Sequence, residues 1–343
     1  MHGVEVIEAG DWAGWDDFVA AAEGSSFCHL RGWREVLESE LGAECLYRMV
    51  VDEGGGCLGV LPLARVRSRI LGHYLVSLPF LNYGGALGSP AARRVLEEWA
   101  VAEARRSGAD LLELRSRGAS EYATGLRTVE RKVTVVLELP AEAESLWRGF
   151  PSKLRSQIRR PQKEGMEVKF GAEQVGAFYE VFSRNMRDLG TPTLPRGFFA
   201  ALPRHFGERV IFGAVYHGVQ PVAAGCGFVW RGEFEMTWAS SLREYNSKAP
   251  NMLLYWSFME ELSRRGVGVF NFGRCTPGGG THRFKLQWGG RDEPLCWGQW
   301  SARGVGSTPS PERPLFQLAT AVWRRTPLAI ANRVGPVLAR HLP

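Results

Sequence analysis

The feature that most constrains this chain is an internal repetition with a spacing of about 160 residues. A helix pattern, "WDDFVAAA" (Trp15–Ala22), and a second, "LRGWREVLESEL" (Leu30–Leu41), precede two strand patterns. These are "CLYRMVV" (Cys45–Val51) and "CLGVLPLARV" (Cys57–Val66), joined by the hairpin-forming "DEGGG". The second half runs the same course. Helices "AFYEVFSRNMRDL" (Ala177–Leu189) and "RGFFAALPRHFG" (Arg196–Gly207) lead into strands "RVIFGAVY" and "PVAAGCGFVW" around the turn "HGVQ". "RRVLEEWAVAEARRSGADLLELRS" (Arg93–Ser116) is then matched by "LLYWSFMEELSRRGVGVFNFGR" (Leu253–Arg274). Both are a helix, a glycine turn and a strand, and both end the strand near an arginine, Arg115 or Arg274. The period is far too long for a solenoid. It predicts an α+β chain of two similar lobes with a cleft between them and a helical tail. The boundaries are expected at 1–147 for the first lobe, 148–169 for a basic connector, 170–300 for the second lobe and 301–343 for a linker and tail. With 343 residues the chain is long enough for one large core or two medium ones.

The net charge of +6 suits an anionic partner such as nucleic acid, a phosphorylated substrate or an acidic membrane face, and equally fits an ordinary mildly basic protein. Six scattered cysteines form no C-x-x-C pair and no zinc spacing, so reduced thiols and no metal site are expected. The start "MHGVEVIEAGDW" lacks the pattern of a signal peptide, and no apolar run of about 18 residues is present. A cytoplasmic protein is expected.

The connector "WRGFPSKLRSQIRRPQKEGMEVK" (Trp147–Lys169) places Arg155 and Arg159 four apart, on one helix face. Two guanidinium groups so placed can grip phosphate; a solvated linker helix is the plainer alternative. Pro161 is expected to end this helix near Arg159. The segment "SARGVGSTPSPER" (Ser301–Arg313) reads as a linker. Beyond it no acidic residue occurs, and Leu315, Leu318, Ala319, Val322 and Trp323 share a helical face. That face either packs on a lobe or touches a membrane surface, with Pro327 and Pro336 breaking the stripe.

The stretch "NFGRCTPGGGTHRFKLQWGG" (Asn271–Gly290) stands apart. It has neither G-x-x-x-x-G-K-[ST] nor G-x-G-x-x-G, so nucleotide binding by this loop is disfavoured. The aromatic character of "RFKLQW" suggests a strand, with Lys285 alternating away from Phe284. Near Arg274 such a lysine would stabilise the oxyanion of an acyl-transfer intermediate; otherwise it is a surface lysine on an edge strand. His282 lies close by as a candidate imidazole at the site, and Trp288 is a candidate pocket wall. Asn82 and Tyr83 in "LPFLNYGG", and Thr191 in "LGTPTLP", sit on turns that could line an acceptor groove. Asp188, Glu233, Glu235 and Asp292 are the carboxylates to weigh as general bases, or ordinary solvated ones.

On these residues the chain resembles the Fem-type aminoacyltransferases, especially the branch associated with exosortase/PEP-CTERM systems. The stretches that carry the resemblance are "FCHLRGWREVLESELG", "GVLPLARVRSRILGHYLVSLPFLNYGG", "SKLRSQIRRPQKEGMEV", "NMRDLGTPTLP", "APNMLLYWSFMEELSRRGVGVFNFGRCTPGGGTHRFKLQWG" and "VWRRTPLAIANRVGP". The resemblance implies two tandem GNAT-like lobes and amide formation from aminoacyl-tRNA onto an amine-bearing envelope or exopolysaccharide precursor, with no resident cofactor. The family's Phe-Lys pair maps onto Phe284 and Lys285, with Lys285 as oxyanion stabiliser. Its anion-gripping basic residues map less closely onto Arg155 and Arg159. The branch reads Phe-Asp-Phe-Gly-Arg-Ser where this chain has "FNFGRC", so Asn271 cannot take up a proton there. Two other readings stay open. One is a CoA-dependent N-acyltransferase, although "GALGSPAARR" and "YNSKAPNMLL" lack the usual pyrophosphate loop. The other is a non-catalytic protein docking to tRNA or a polysaccharide-export system.

Overall fold

The computed structural model describes residues 4–10, 12–68, 72–118, 121–123, 125–302 and 314–342. The first half runs β1 (Val4–Glu8), α1 (Trp15–Ala21), α2 (Gly32–Leu41), β2 (Glu44–Asp52), β3 (Cys57–Ser68), β4 (Gly72–Val76), β5 (Leu87–Gly88), α3 (Pro90–Arg106), β6 (Leu111–Arg117) and β7 (Arg127–Glu138). The second runs α4 (Ala143–Gly149), α5 (Ser152–Lys163), β8 (Met166–Phe170), α6 (Val175–Leu189), α7 (Arg196–Phe206), β9 (Val210–His217), β10 (Gln220–Trp230) and β11 (Glu233–Ser241). It continues with α8 (Pro250–Arg264), β12 (Val269–Cys275), α9 (Gly280–Leu286), β13 (Arg291–Ser301), α10 (Pro314–Arg325) and α11 (Leu328–Ala339). Most of the linker expected after Ser301 lies outside the described residues. No described helix is long and apolar enough to cross a membrane.

The chain divides into two compact units. One comprises Met1–Lys132, Pro294–Pro311 and Arg340–Pro343; the other comprises Val133–Glu293 and Glu312–Ala339. In the first, antiparallel β1, β2, β3 and β4 are followed by β6, parallel to β4. Its last strand is β13, antiparallel to β6 from Leu295↔Arg117 to Ser301↔Leu111. In the second, β8, β9, β10 and β11 are antiparallel, and β12 is parallel to β11. Its last strand is the end of β7, antiparallel to β12. By repeat position β7 and β13 are counterparts, yet each completes a sheet whose other strands come chiefly from the other half of the sequence.

Helix α3 covers the first sheet with Leu96, Ala100, Val101 and Ala104, which meet Leu61, Leu63, Leu75 and Leu112. Helix α8 does the same in the second unit through Leu254, Phe258, Met259 and Leu262. These i, i+4 spacings set one apolar stripe on the sheet. In α5 the buried stripe is Leu154, Ile158 and Pro161. The helix therefore does not stop at Arg159: Pro161 sits in its last turn, where it forgoes the N–H that would reach the Gln157 carbonyl, and burial of its ring offsets that loss. Helix α6 ends at Gly190, whose φ of +84° lets its N–H and that of Thr191 reach the Arg187 and Met186 carbonyls.

Candidate active site

The sheet of the second unit splays. Strands β11 and β12 pair only from Glu233↔Val269 to Glu235↔Asn271, then separate. Beyond that point β12 carries a bulge against β7, between Asn271 and Arg274. Gly273 makes it with φ +73°, a conformation that penalises any side chain. Asn271 holds the bulge. It is fully buried, its Oδ1 accepts from the Gly273 N–H (2.8 Å) and from the Thr134 hydroxyl, and its Nδ2 donates to Glu233 (2.7 Å). A carboxylate at 271 could not make that last bond. The departure at Asn271 is thus a positioning feature at the splay.

The residues expected to form a strand around Lys285 form helix α9. Gly278 and Gly279 turn the chain, and His282 and Lys285, one turn apart, point inward while Phe284 lies half-buried. The i, i+3 relation of His282 to Lys285 and the i, i+4 relation of Phe284 to Trp288 are the helical signal in the sequence. Lys285 is 4% exposed, and its Nζ donates to the Gly273 carbonyl (2.5 Å) and the Arg274 carbonyl (3.0 Å). The bulge turns both carbonyls to it. An ammonium has three N–H groups, and these two are its only acceptors among the described residues, so one remains for a further acceptor. Burial pulls its pKa from 10.5 down to about 8; Cys275 and Glu235 oppose the shift, and Arg274 adds to it. Near neutrality it is a cation close to its titration point.

Phe284 lies edge-on to Tyr255 (5.0 Å) and Trp288 (6.3 Å). Tyr255 in turn stacks on Phe272 (5.7 Å), and Phe150 meets Trp288 edge-on (5.6 Å). The indole Nε1–H of Trp288 is buried with no acceptor among the described residues. His282 accepts the Gly278 N–H on Nδ1 and gives Nε2–H to Asp292, 2.9 Å from each oxygen. Both ring nitrogens are occupied, so the imidazole braces the glycine turn and is not free to act as a base.

Residues 149–286 match the acetyltransferase (GNAT) domain family. The crystal structure of FemX is similar over 92% of this chain and 100% of its own, with a TM-score of 0.62 at 14% identity. A tandem GNAT protein from the clavulanic acid biosynthesis pathway is similar over 89% of this chain and all of its own (TM-score 0.54, 14% identity). The C-terminal domain of a putative lysylphosphatidylglycerol synthetase from Agrobacterium fabrum covers 90% of this chain and 95% of its own (TM-score 0.55, 13% identity). The fold is a tandem GNAT fold. No curated protein sequence matches the chain.

Within the second GNAT lobe the candidates fall into two neighbourhoods. Phe284, Lys285, His282, Trp288 and Arg274 surround α9, with the Arg274 side chain exposed beyond the bulge. Arg159 is exposed on α5 with its guanidinium over the Trp147 ring (5.1 Å), and Trp147 meets Trp256 at a tilt (5.0 Å); Arg155 is half-buried and donates to the Arg148 carbonyl (3.3 Å). Since Phe150 meets both Trp256 and Trp288, one aromatic chain links this basic face to α9. Thr191 is elsewhere, capping α6 beside α10. Asn82 and Tyr83 belong to the first lobe and are buried in the turn after β4, with Arg117 over the Tyr83 ring (5.9 Å).

The first lobe treats its own splay differently. Arg115, at the repeat position next to that of Arg274, is buried and gives hydrogen bonds to Glu113 and to the carbonyls of Leu78 and Leu81, with its guanidinium over Trp297 (4.8 Å). The Gly85 N–H also bonds to the Arg115 carbonyl (2.8 Å). Arg115 pins chain where Arg274 projects outward. Sequence reasoning weighed Glu235 only as one of four carboxylates; it is 2% exposed at the last β11–β12 pair and acts on the Lys285 charge. Nothing in its sequence neighbourhood distinguishes it from a solvated carboxylate. A cavity of about 750 Å³ lined by Gly171, Pro203, Gly207, Phe212, Val229 and Arg265 shares no residue with this region.

Proposed function

We propose that the chain is an acyltransferase of the Fem-like group that works in the cytoplasm. It passes an aminoacyl group from aminoacyl-tRNA to an amine on an anionic cell-envelope or exopolysaccharide precursor, of the kind served by the exosortase-associated branch. The observation that carries this reading is the buried Lys285 ammonium, fixed by two carbonyls of the β12 bulge and left with one N–H to give. The amine attacks the ester carbonyl carbon, a C–N bond forms, and the carbonyl oxygen becomes an oxyanion that this N–H stabilises. Collapse breaks the ester C–O bond, and the ribose oxygen leaves with the proton lost by the amine. No protein base is required if that proton passes through the substrate.

Phe284 and Trp288 form the apolar wall beside the reacting ester, and the Trp288 N–H offers a second unfilled donor. Arg155 and Arg159 grip phosphates of donor or acceptor, with Arg274 as a further cation. Thr191 is proposed as a further acceptor-binding residue of the second lobe, and Asn82 and Tyr83 as acceptor-binding candidates of the first. One solved neighbour is by name the C-terminal domain of a putative lysylphosphatidylglycerol synthetase, which supports an aminoacyl donor.

The GNAT-domain match keeps acyl-CoA as the second reading. At the α8 N-terminus, where a pyrophosphate would sit, Pro250 has no N–H and the Met252 N–H is spent on Ala249, so few donors remain. Transfer assays with the purified chain decide between them. RNase-sensitive transfer from charged tRNA supports the first reading, transfer from acyl-CoA supports the second, and neither would favour a binding protein.

A further inference from the structure

The second of the two C-terminal helices is built with its small residues inward and its large apolar residues outward. Helix α11 buries Ala331, Gly335 and Ala339, spaced four apart. Its Gly335 lies so close to Thr193 that a Cβ there would meet the Thr193 nitrogen at 3.1 Å. The opposite side presents Ile330, Val334, Val337 and Leu338, and α10 presents Leu318 and Val322, all 40–63% exposed. These are six of the ten exposed large apolar side chains among the described residues, and Leu189 at the end of α6 is a seventh close by. An ordinary surface helix would bury such residues. The pair is nevertheless docked firmly: Arg187 donates to the Thr326 carbonyl (3.0 Å) and Arg324 to the Leu189 carbonyl (3.3 Å).

The outward apolar residues are interspersed with Arg325 and Arg333, and residues 314–343 contain no aspartate or glutamate. Neither helix can span a bilayer. An apolar face mixed with cations that have no acidic partner among the described residues matches the boundary of a bilayer, where acyl chains lie beneath anionic head groups. A protein groove would more commonly supply carboxylates opposite the arginines and leave a purely apolar strip. We infer that α10 and α11 dock the protein on an anionic lipid surface, with Ile330, Val334, Leu338, Leu318 and Val322 entering the head-group boundary and Arg325 and Arg333 facing lipid phosphates. This goes beyond the proposed reaction and does not depend on it.

The test is co-sedimentation of the full-length chain with vesicles of phosphatidylcholine alone or containing phosphatidylglycerol, with no donor or acceptor present. The inference expects binding only to the anionic vesicles, weakened by salt. Arg325→Gln with Arg333→Gln should weaken it about fivefold per charge, near the ~1 kcal/mol of each surface cation. Ile330→Glu with Leu338→Glu should abolish it without changing the thermal transition, because both sites are exposed. Equal binding to both vesicle types would overturn the inference, as would no binding by a monomer. A dimer in light scattering that Leu338→Glu dissociates, with no vesicle binding, would overturn it in favour of a contact between copies. Any of these leaves the transfer assays unaffected, so the two ideas fail separately.

Discussion

Replacing Lys285 with methionine separates the two roles a buried lysine can play at the β12 bulge. As an ammonium it has a third N–H for an oxyanion; as a neutral amine its two N–H groups serve Gly273 and Arg274 and its lone pair can accept a proton. With its pKa held at about 8 by burial, both forms are accessible near neutrality, so pH reports which one works. Removing an oxyanion donor lowers kcat by about 10²–10³, or ~3–4 kcal/mol. The ratio of wild-type to Lys285→Met rates cancels the titration of the substrate amine. It should be highest below pH 8 and fall above it. A ratio that rises through pH 8 would assign Lys285 as a base and refute the oxyanion argument, and a flat ratio near one would remove it from the chemistry. Stability gives an independent check. The pKa falls from 10.5 unfolded to about 8 folded, so between these values the unfolded chain binds the extra proton and stability rises with pH. Wild type should gain up to about 3 kcal/mol on the methionine variant over that window, read by urea unfolding at pH 7.5 and above. Below pH 8 the ammonium carries its full burial cost, while the variant leaves two carbonyls unpaired at about 1–3 kcal/mol each, so the two should differ little there.

Asn271→Asp places a carboxylate where the Asn271 amide donates to Glu233, and should destabilise by roughly 2–4 kcal/mol with lost activity. Adding Glu233→Gln should restore most of the thermal transition, and failure of that rescue would sink the positioning role. Arg155→Ala with Arg159→Ala should weaken tRNA binding and flatten its salt dependence by about one unit per lost phosphate contact, measured by filter binding across salt concentrations. Stability should fall by no more than about 1–2 kcal/mol, the size of the lost Arg155 bond to the Arg148 carbonyl and the Arg159–Trp147 contact. Asp292→Ala removes the acceptor of His282 Nε2–H and should cost on the order of 1 kcal/mol in unfolding experiments. The pH–rate profile should keep its shape; a lost acidic limb would make His282 a base after all.

The duplication was legible because each half repeats its helices and strands in the same order, and the apolar stripes of α3 and α8 announce themselves at helical spacing. What was illegible follows from contacts distant in sequence. "RFKLQW" alternates like a strand over six residues, too few for either period to win, and the decision falls to the burial of His282 and Lys285 against β12 and its turn. Pro161 carries a strong local stop signal that the core overrides by taking its ring. Glu235 becomes special only because β11 and β12 part company one residue later. The pairing partners of β7 and β13 leave no trace in either strand's own sequence.

That last arrangement sets a timetable for synthesis. While the first half emerges from the ribosome, the leucine-rich β6 has one flank waiting for a strand made about 180 residues later. At ordinary elongation rates the wait is on the order of ten seconds or more. For all of it β6 is an open sheet edge, the kind of surface on which nascent chains pair wrongly. The end of β7 waits in turn for β12. A stop codon between the halves therefore yields one sheet without its last strand and a β7 without its partner rather than a smaller enzyme, and a frameshift as late as residue 294 reaches back to unseat a sheet begun at residue 4.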